Sequence, residues 1–210
     1  MNIKELIKRN HDWADRIAHN KPDFFPTLAA QQKPEILWIG CADSRVPSNQ
    51  VLDMDPGEVF VHRNVANLVI QSDLNMLSTV QFAVEVLKVK HVIICGHYGC
   101  GGVTAALSDQ QHGLIDYWLA DIKDTICHHQ HEIDGFASDR EKIDRVCELN
   151  VIKQVHNLSY TAVVQNAWAN GQTLAIHGIC YGLHDGKVKD LNVTIDCLEK
   201  VTSTYRYALD

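Results

Sequence analysis

The sequence predicts an α/β fold, a central and mostly parallel sheet of about five strands flanked by helices, with an N-terminal helical arm. Two observations predict it. Strand-length apolar runs alternate with segments of helical period along the chain. One of those runs, His91 to Cys95 (HVIIC), is apolar nearly throughout, as a strand covered on both faces is. The size agrees: 210 residues, 46% hydrophobic and 21% charged, can bury one large core without disulfide or metal staples. We therefore expect a single domain over residues 1–210, with 1–30 as the arm.

In the first twenty residues, Ile3, Leu6, Ile7, Trp13, Ala14 and Ile17 lie near one helical face, and Pro22 and Pro26 are expected to stop that helix. Strands follow at Glu35 to Gly40 (EILWIG) and Glu58 to His62 (EVFVH). Leu74 to Val89 reads as a helix capped by Ser72 or Asp73, with Leu77, Val80, Val84 and Leu87 inward. After the third strand, a helix follows Gly101-Gly102, and Leu114 to Cys127 and Arg140 to Asn170 are mostly helical, with a polar break around Asp134-Gly135. Thr173 to His177 (TLAIH) is a fourth strand. Lys187 to Ile195 is a fifth, whose alternation places it at an edge.

The net charge of -7, with no Lys/Arg-rich stretch, argues against a nucleic-acid-binding module. No apolar run reaches the roughly 18 to 20 residues of a membrane span. The N-terminus lacks the uncharged core of a signal peptide, so a cytoplasmic protein is expected. Seven cysteines in such a chain point to metal binding, redox chemistry or core packing rather than disulfides. The tract His128-His129-Gln130-His131 reads as a solvated loop, and Cys95, Cys127, Cys147, Cys180 and Cys197 as buried thiols.

Sites in parallel sheets gather at the carboxyl ends of strands. The first strand runs into Cys41-Ala42-Asp43-Ser44-Arg45 and the third into Cys95-Gly96-His97-Tyr98-Gly99-Cys100-Gly101-Gly102. Cys41, His97 and Cys100 offer two thiolates and an imidazole, a set that suits Zn²⁺, with Asp43 as an oxygen donor for a fourth position. Cys100, at a helix N-terminus, is expected to favour its thiolate. Arg45 can hold the Asp43 carboxylate by a charge-assisted pair and keep it off the metal. The glycine-rich turn has neither Walker nor G-x-G-x-x-G spacing, which disfavours a nucleotide.

CADSR followed by GHYGCGG resembles the beta-class carbonic anhydrases, and the resemblance continues through WIG, GEVFVHRNVAN, TVQFAVEVL and NGQTLAIHGICYGLHDG, roughly residues 30 to 195. It implies one zinc per chain on Cys41, His97 and Cys100, with Asp43 as exchangeable fourth ligand and Arg45 as its partner. It implies reversible hydration of CO₂ to bicarbonate and a proton by zinc-bound hydroxide. Gln32 and Phe60 would line the substrate cleft, with Phe82 contributed by a second subunit. The bacterial branch of the family has a second, non-catalytic bicarbonate site, whose residues match Trp38, Arg63 and Tyr181. By analogy, bicarbonate and low pH would close the site through Asp43 ligating zinc. A homodimer, or a tetramer made of two, is implied as the assembly, with the arm covering a partner's apolar surface. The same scaffold acting on carbon disulfide or carbonyl sulfide, and a non-catalytic structural zinc or redox sensor, are the competing readings.

Overall fold

The computed structural model describes residues 2–208, so the ends of the expected domain, Met1 and Asp210, lie outside the described residues. The chain divides into two compact units, Met1–Lys33 and Pro34–Asp210.

The N-terminal unit holds α1 (Ile3–Asn20) and α2 (Phe24–Ala30). A reciprocal capping box starts α1: the Asn2 side chain accepts from the Glu5 amide at 3.0 Å, and the Glu5 carboxylate accepts from the Asn2 amide at 3.1 Å. Ile3, Leu6, Ile7 and Trp13 are exposed along this helix. Pro26 does not terminate helical structure. It lies in the first turn of α2, where no intrahelical N–H is required of it.

The larger unit is built on a five-stranded sheet of order β2-β1-β3-β4-β5. Its strands are β1 (Ile36–Cys41), β2 (Val59–Asn64), β3 (His91–His97), β4 (Ala175–Tyr181) and β5 (Val188–Ile195). The first four are mutually parallel and β5 runs antiparallel along the β4 edge. β4 continues four residues past its expected end, with the alternation of buried positions kept through Ile176, Gly178 and Cys180.

Helices α3 (Ser48–Val51), α4 (Leu74–Gln81), α5 (Gly101–Leu107), α6 (Ile115–Trp118), α7 (Ala120–His128), α8 (Gln130–Asp134), α9 (Asp139–Ser159) and α10 (Ala162–Ala169) connect the strands. Asp73 caps α4 by accepting from the Asn75 amide. The expected helix over 74–89 changes to a π-helical turn at Phe82–Val86, and the expected helix over 140–170 breaks at Tyr160–Thr161 into α9 and α10. The His128–His131 tract is helical rather than a loop, closing α7 and entering α8.

One sheet face packs Leu37, Ile39, Val92, Ile94 and Ile176 against Val80 and Val84 and against Val151, Val155 and Leu158 of α9. Helix α9 comes close enough to β4 that a Cβ at Gly178 would meet Val151 at 3.0 Å and Val155 at 3.1 Å. A second cluster gathers Cys41, Ala66, Leu68, Cys100, Val103 and Cys147 at the carboxyl end of the sheet, and a third holds Trp38, Val46 and Cys95 on the other face. Cys127 is exposed and Cys197 half-buried, so only Cys95, Cys147 and Cys180 of the five remaining cysteines are core thiols. No helix among the described residues is long and apolar enough to cross a membrane.

Candidate metal centre and active site

Two parallel strands end side by side and deliver the donors. Cys41 is the last residue of β1 and His97 the last of β3. Beyond His97 the chain turns through Gly99, at φ 68°, a conformation that suits glycine, and reaches Cys100 at the N-cap of α5. Cys41, His97 and Cys100 are all buried, and their ligand atoms lie within 4.8 Å of one another. The sulfurs of Cys41 and Cys100 are 3.9 Å apart.

His97 is set up to donate a lone pair. Its Nδ1 lies 3.2 Å from the Tyr98 carbonyl, so Nδ1 carries the proton and Nε2 is free to ligate. That Nε2 is fully buried and has no hydrogen-bond partner. Such an atom is costly to leave unmatched, and a cation between the sulfurs matches it.

The hydrogen bond shared with Cys100 pulls the Cys41 thiol below its ordinary range, and the Asp43 amide, 3.4 Å from the sulfur, adds to this. That same bond, together with burial, pushes Cys100 up. The two sulfurs share a hydrogen bond in which either can donate, and a metal held by both would displace that proton. The two-thiolate, one-imidazole set fits zinc.

Asp43 stands at the mouth of this cluster. Its Oδ2 is 3.8 Å from His97 Nε2. Arg45 holds it three ways: Nε to Oδ1 at 2.9 Å, Nη2 to Oδ2 at 2.6 Å and the Arg45 amide to Oδ1 at 2.9 Å. Those hydrogen bonds keep the Asp43 carboxyl well below the usual carboxylate range. Asp43 is thus an ionised acceptor, oriented by Arg45 beside the donor atoms.

Strand register places Trp38, Arg63 and Tyr181 on the same face of the sheet. Gly40 pairs with Arg63 and with Cys95, and His97 pairs with Tyr181. The Trp38 indole lies across Gly40, where an added Cβ would stand 2.2 Å from Nε1. Trp38 is fully buried and its Nε1–H has no partner. Arg63 donates from Nε to the Cys41 carbonyl at 2.9 Å and from Nη2 to the Asp43 carbonyl. It thereby holds the backbone that bears both groups.

Gln32 is exposed in the extended segment after α2. Phe60 pairs with Leu37, four residues before the β2 position that pairs with Cys41. Its ring packs against Phe82 of the same chain, with centroids 5.7 Å apart. Sequence reasoning missed Glu148, Asn150 and Gln154, buried polar residues of α9. Glu148 accepts from Tyr98 at 2.7 Å, Arg145 at 3.0 Å and Lys189 at 2.7 Å.

A parallel α/β sheet that presents Cys₂His at its carboxyl end, beside a carboxylate held by arginine, defines a zinc enzyme. The family model described as Carbonic anhydrase matches residues 36–188. A carbonic anhydrase of Emericella nidulans is 44% identical over 189 residues, covering 90% of this chain and 83% of its own. One of Saccharomyces cerevisiae is 35% identical over 210 residues, covering 96% and 92%. Among solved structures, a tetrameric beta-carbonic anhydrase of Sordaria macrospora superposes with a TM-score of 0.87 at 40% identity, over 91% of this chain and 98% of the other. The Coccomyxa beta-carbonic anhydrase in complex with acetazolamide gives 0.89 at 41%, over 94% and 90%. The chain belongs to the carbonic anhydrase family, in its beta class, and is a zinc-dependent carbonic anhydrase.

Proposed function

We propose that this carbonic anhydrase hydrates CO₂ with Asp43 and Arg45 as its working pair, and that bicarbonate and low pH switch it off by freeing Asp43 to ligate the metal. Cys41, His97 and Cys100 hold the zinc, which when bound supplies an acidified water as nucleophile near neutral pH. Asp43 accepts a hydrogen bond from that nucleophile and aims its lone pair at the carbon of CO₂. Arg45 keeps Asp43 ionised and off the metal. The observation that carries this reading is the three-bonded Asp43–Arg45 pair beside the donor cluster. A closed structural site would have its fourth ligand in place.

The orphaned Trp38 Nε1–H and the neighbouring Arg63 support the second bicarbonate site, with Tyr181 as a further donor. An anion there would draw Arg63 from the carbonyls of Cys41 and Asp43, loosening the turn that keeps Asp43 on Arg45. The exposed apolar residues of α1 support a homodimer, or a tetramer of two dimers, in which the arm packs on a partner. Gln32, Phe60 and Phe82 would line the cleft, and the 43% exposure of Phe82 leaves it free to serve a partner's site. Seven free cysteines support a reducing, cytoplasmic setting.

Stopped-flow CO₂ hydration on zinc-quantified protein, scanned from about pH 6.5 to 9 with and without bicarbonate, tests the proposal. Activity should rise with pH and fall with bicarbonate, and Trp38→Phe should weaken that inhibition. Activity across the range without bicarbonate sensitivity would remove the switch and leave the enzyme. No activity at full zinc content would remove the catalytic roles of Asp43 and Arg45.

A further inference from the structure

His97 and Cys100 are separated only by Tyr98 and Gly99, so Tyr98 carries the one side chain of the turn between two metal donors. The Tyr98 carbonyl lies 3.2 Å from His97 Nδ1 and accepts its proton. Where Tyr98 sits therefore decides where the imidazole points. The Tyr98 amide donates to the Tyr181 carbonyl at 3.0 Å, which ties the turn to β4. The Tyr98 ring is half-buried, and its hydroxyl donates to Glu148 Oε1 at 2.7 Å.

Glu148 lies in the middle of α9 and is 8% exposed. A buried carboxylate is costly unless it is paired and hydrogen-bonded. This one takes a donor from the turn, one from α9 itself and one from β5: Tyr98, Arg145 at 3.0 Å and Lys189 at 2.7 Å. Arg145 and Lys189 match its charge, which leaves Tyr98 as the neutral third donor, in a bond strengthened by the ionised acceptor. Helix α9 also presses on the residue before His97, where a Cβ at Gly96 would meet Val151 Cγ2 at 2.5 Å. The helix thus holds the chain on both sides of His97, by close packing at Gly96 and by a hydrogen bond at Tyr98.

We infer that Glu148 is a positioning residue for the metal centre and acts through Tyr98. It anchors the side chain of the residue whose carbonyl holds His97 Nδ1, and so keeps Nε2 directed at the site. A histidine ligand is oriented by the partner of its other ring nitrogen, and the placement of that partner governs metal affinity. The inference rests on Cys41, His97 and Cys100 being the zinc donors.

The experiment compares wild type, Tyr98→Phe, Glu148→Ala, the double variant and Lys189→Ala as full chains. Zinc affinity is measured by competition with a chromophoric chelator, and the visible ligand-field bands are recorded after Co²⁺ substitution. Tyr98→Phe and Glu148→Ala should each bind zinc about 10-fold more weakly, the lower end of the range for outer partners of metal ligands, and both should move the bands. The double variant should lose no more affinity than Glu148→Ala alone, because the two substitutions remove one contact. Lys189→Ala leaves the Tyr98 and Arg145 bonds to Glu148 in place and should keep wild-type affinity and bands. A merely structural Glu148 would give a lower melting temperature in Glu148→Ala with wild-type affinity and bands in Tyr98→Phe, and that result overturns the inference. Additive losses in the double variant overturn it as well. Tyr98→Phe keeps the ring and its packing, so it decides the inference by itself where Glu148→Ala does not fold. A wild type that takes up no zinc overturns the metal centre and the inference with it.

Discussion

The two ends of the parallel strands carry similar residue types in different states. At the carboxyl end, Trp38 Nε1 and His97 Nε2 are buried without partners, and Asp43 is oriented by Arg45 while Arg63 holds the turn backbone. At the amino end, Glu35 pairs with Lys90, and His91 Nδ1 lies 3.1 Å from His177 Nε2. There the ion pair is exposed, at 64% and 54% of the two side chains. A buried donor or acceptor left unmatched costs about 1–3 kcal/mol, whereas an exposed ion pair contributes at most about 1 kcal/mol. Closeness of charged groups therefore does not mark a functional site in this molecule. Burial is the better guide at the carboxyl end, where Trp38 Nε1 and His97 Nε2 are left for a ligand to match, although His156 Nδ1 and Asn67 Nδ2 are also buried without partners.

Removing a donor at the carboxyl end should have the largest effect. Cys41→Ser is expected to lower CO₂ hydration by more than about 100-fold and to abolish stoichiometric zinc, since even outer partners of ligands cost 10- to 100-fold. Metal analysis and stopped-flow rates on the same sample check it. Asp43→Asn comes next. It keeps the shape of the side chain but loses the charge that Arg45 holds, and the turnover rate should fall about 100- to 1,000-fold, as for a lost preorganised polar group. Zinc content should stay at the wild-type level. A parallel loss of zinc would make Asp43 a structural ligand and erase the distinction between the open and the closed site.

The sequence displayed the carboxyl end well, because its chemistry needs particular residue types at short spacings. Cys41 and Asp43 share one turn, as do His97 and Cys100, and each turn follows an apolar strand. Strand existence was legible for the same reason, while strand ends were not: β4 extends to Tyr181 because register with β3 continues to His97. The roles of Asn150 and Gln154 were illegible. Their partners Ala66 and Val69 lie 84 and 85 residues away in sequence, and nothing local tells a buried amide from a solvated one. The left-handed Ala66 was hidden too, since no glycine advertises it.

A smaller effect concerns stability and pH. Burial holds the imidazoles of His62, His156 and His177 below their usual value, and for His177 the neighbouring His91 adds to this while Asp190 and Asp196 oppose it. A depressed histidine is neutral in the folded state, and the unfolded chain takes up its proton first. The stability it contributes is complete above about pH 6.5, the ordinary histidine value, and is lost as pH falls through the lower folded value. The melting temperature should therefore decline from pH 7 to 5, and His177→Gln should flatten part of that slope. An unchanged slope would mean that the His91–His177 contact opens at no cost.

The smallest effect should come from the amino-end ion pair. Glu35 accepts from Lys90 through its side chain, which keeps the Glu35 carboxyl below its ordinary range. Both side chains are largely in water, so salt screens the pair and side-chain ordering offsets the attraction. The backbone carbonyl of Glu35 separately accepts from the Lys90 and His91 amides at 2.9 and 3.1 Å, and truncating the side chain leaves those bonds intact. Glu35→Ala is thus expected to shift the melting temperature by no more than about 1 °C at physiological salt and to leave zinc content and turnover unchanged. A drop of several degrees would show that this end of the sheet depends on its surface charges, and the contrast with the carboxyl end would then be one of degree rather than of kind.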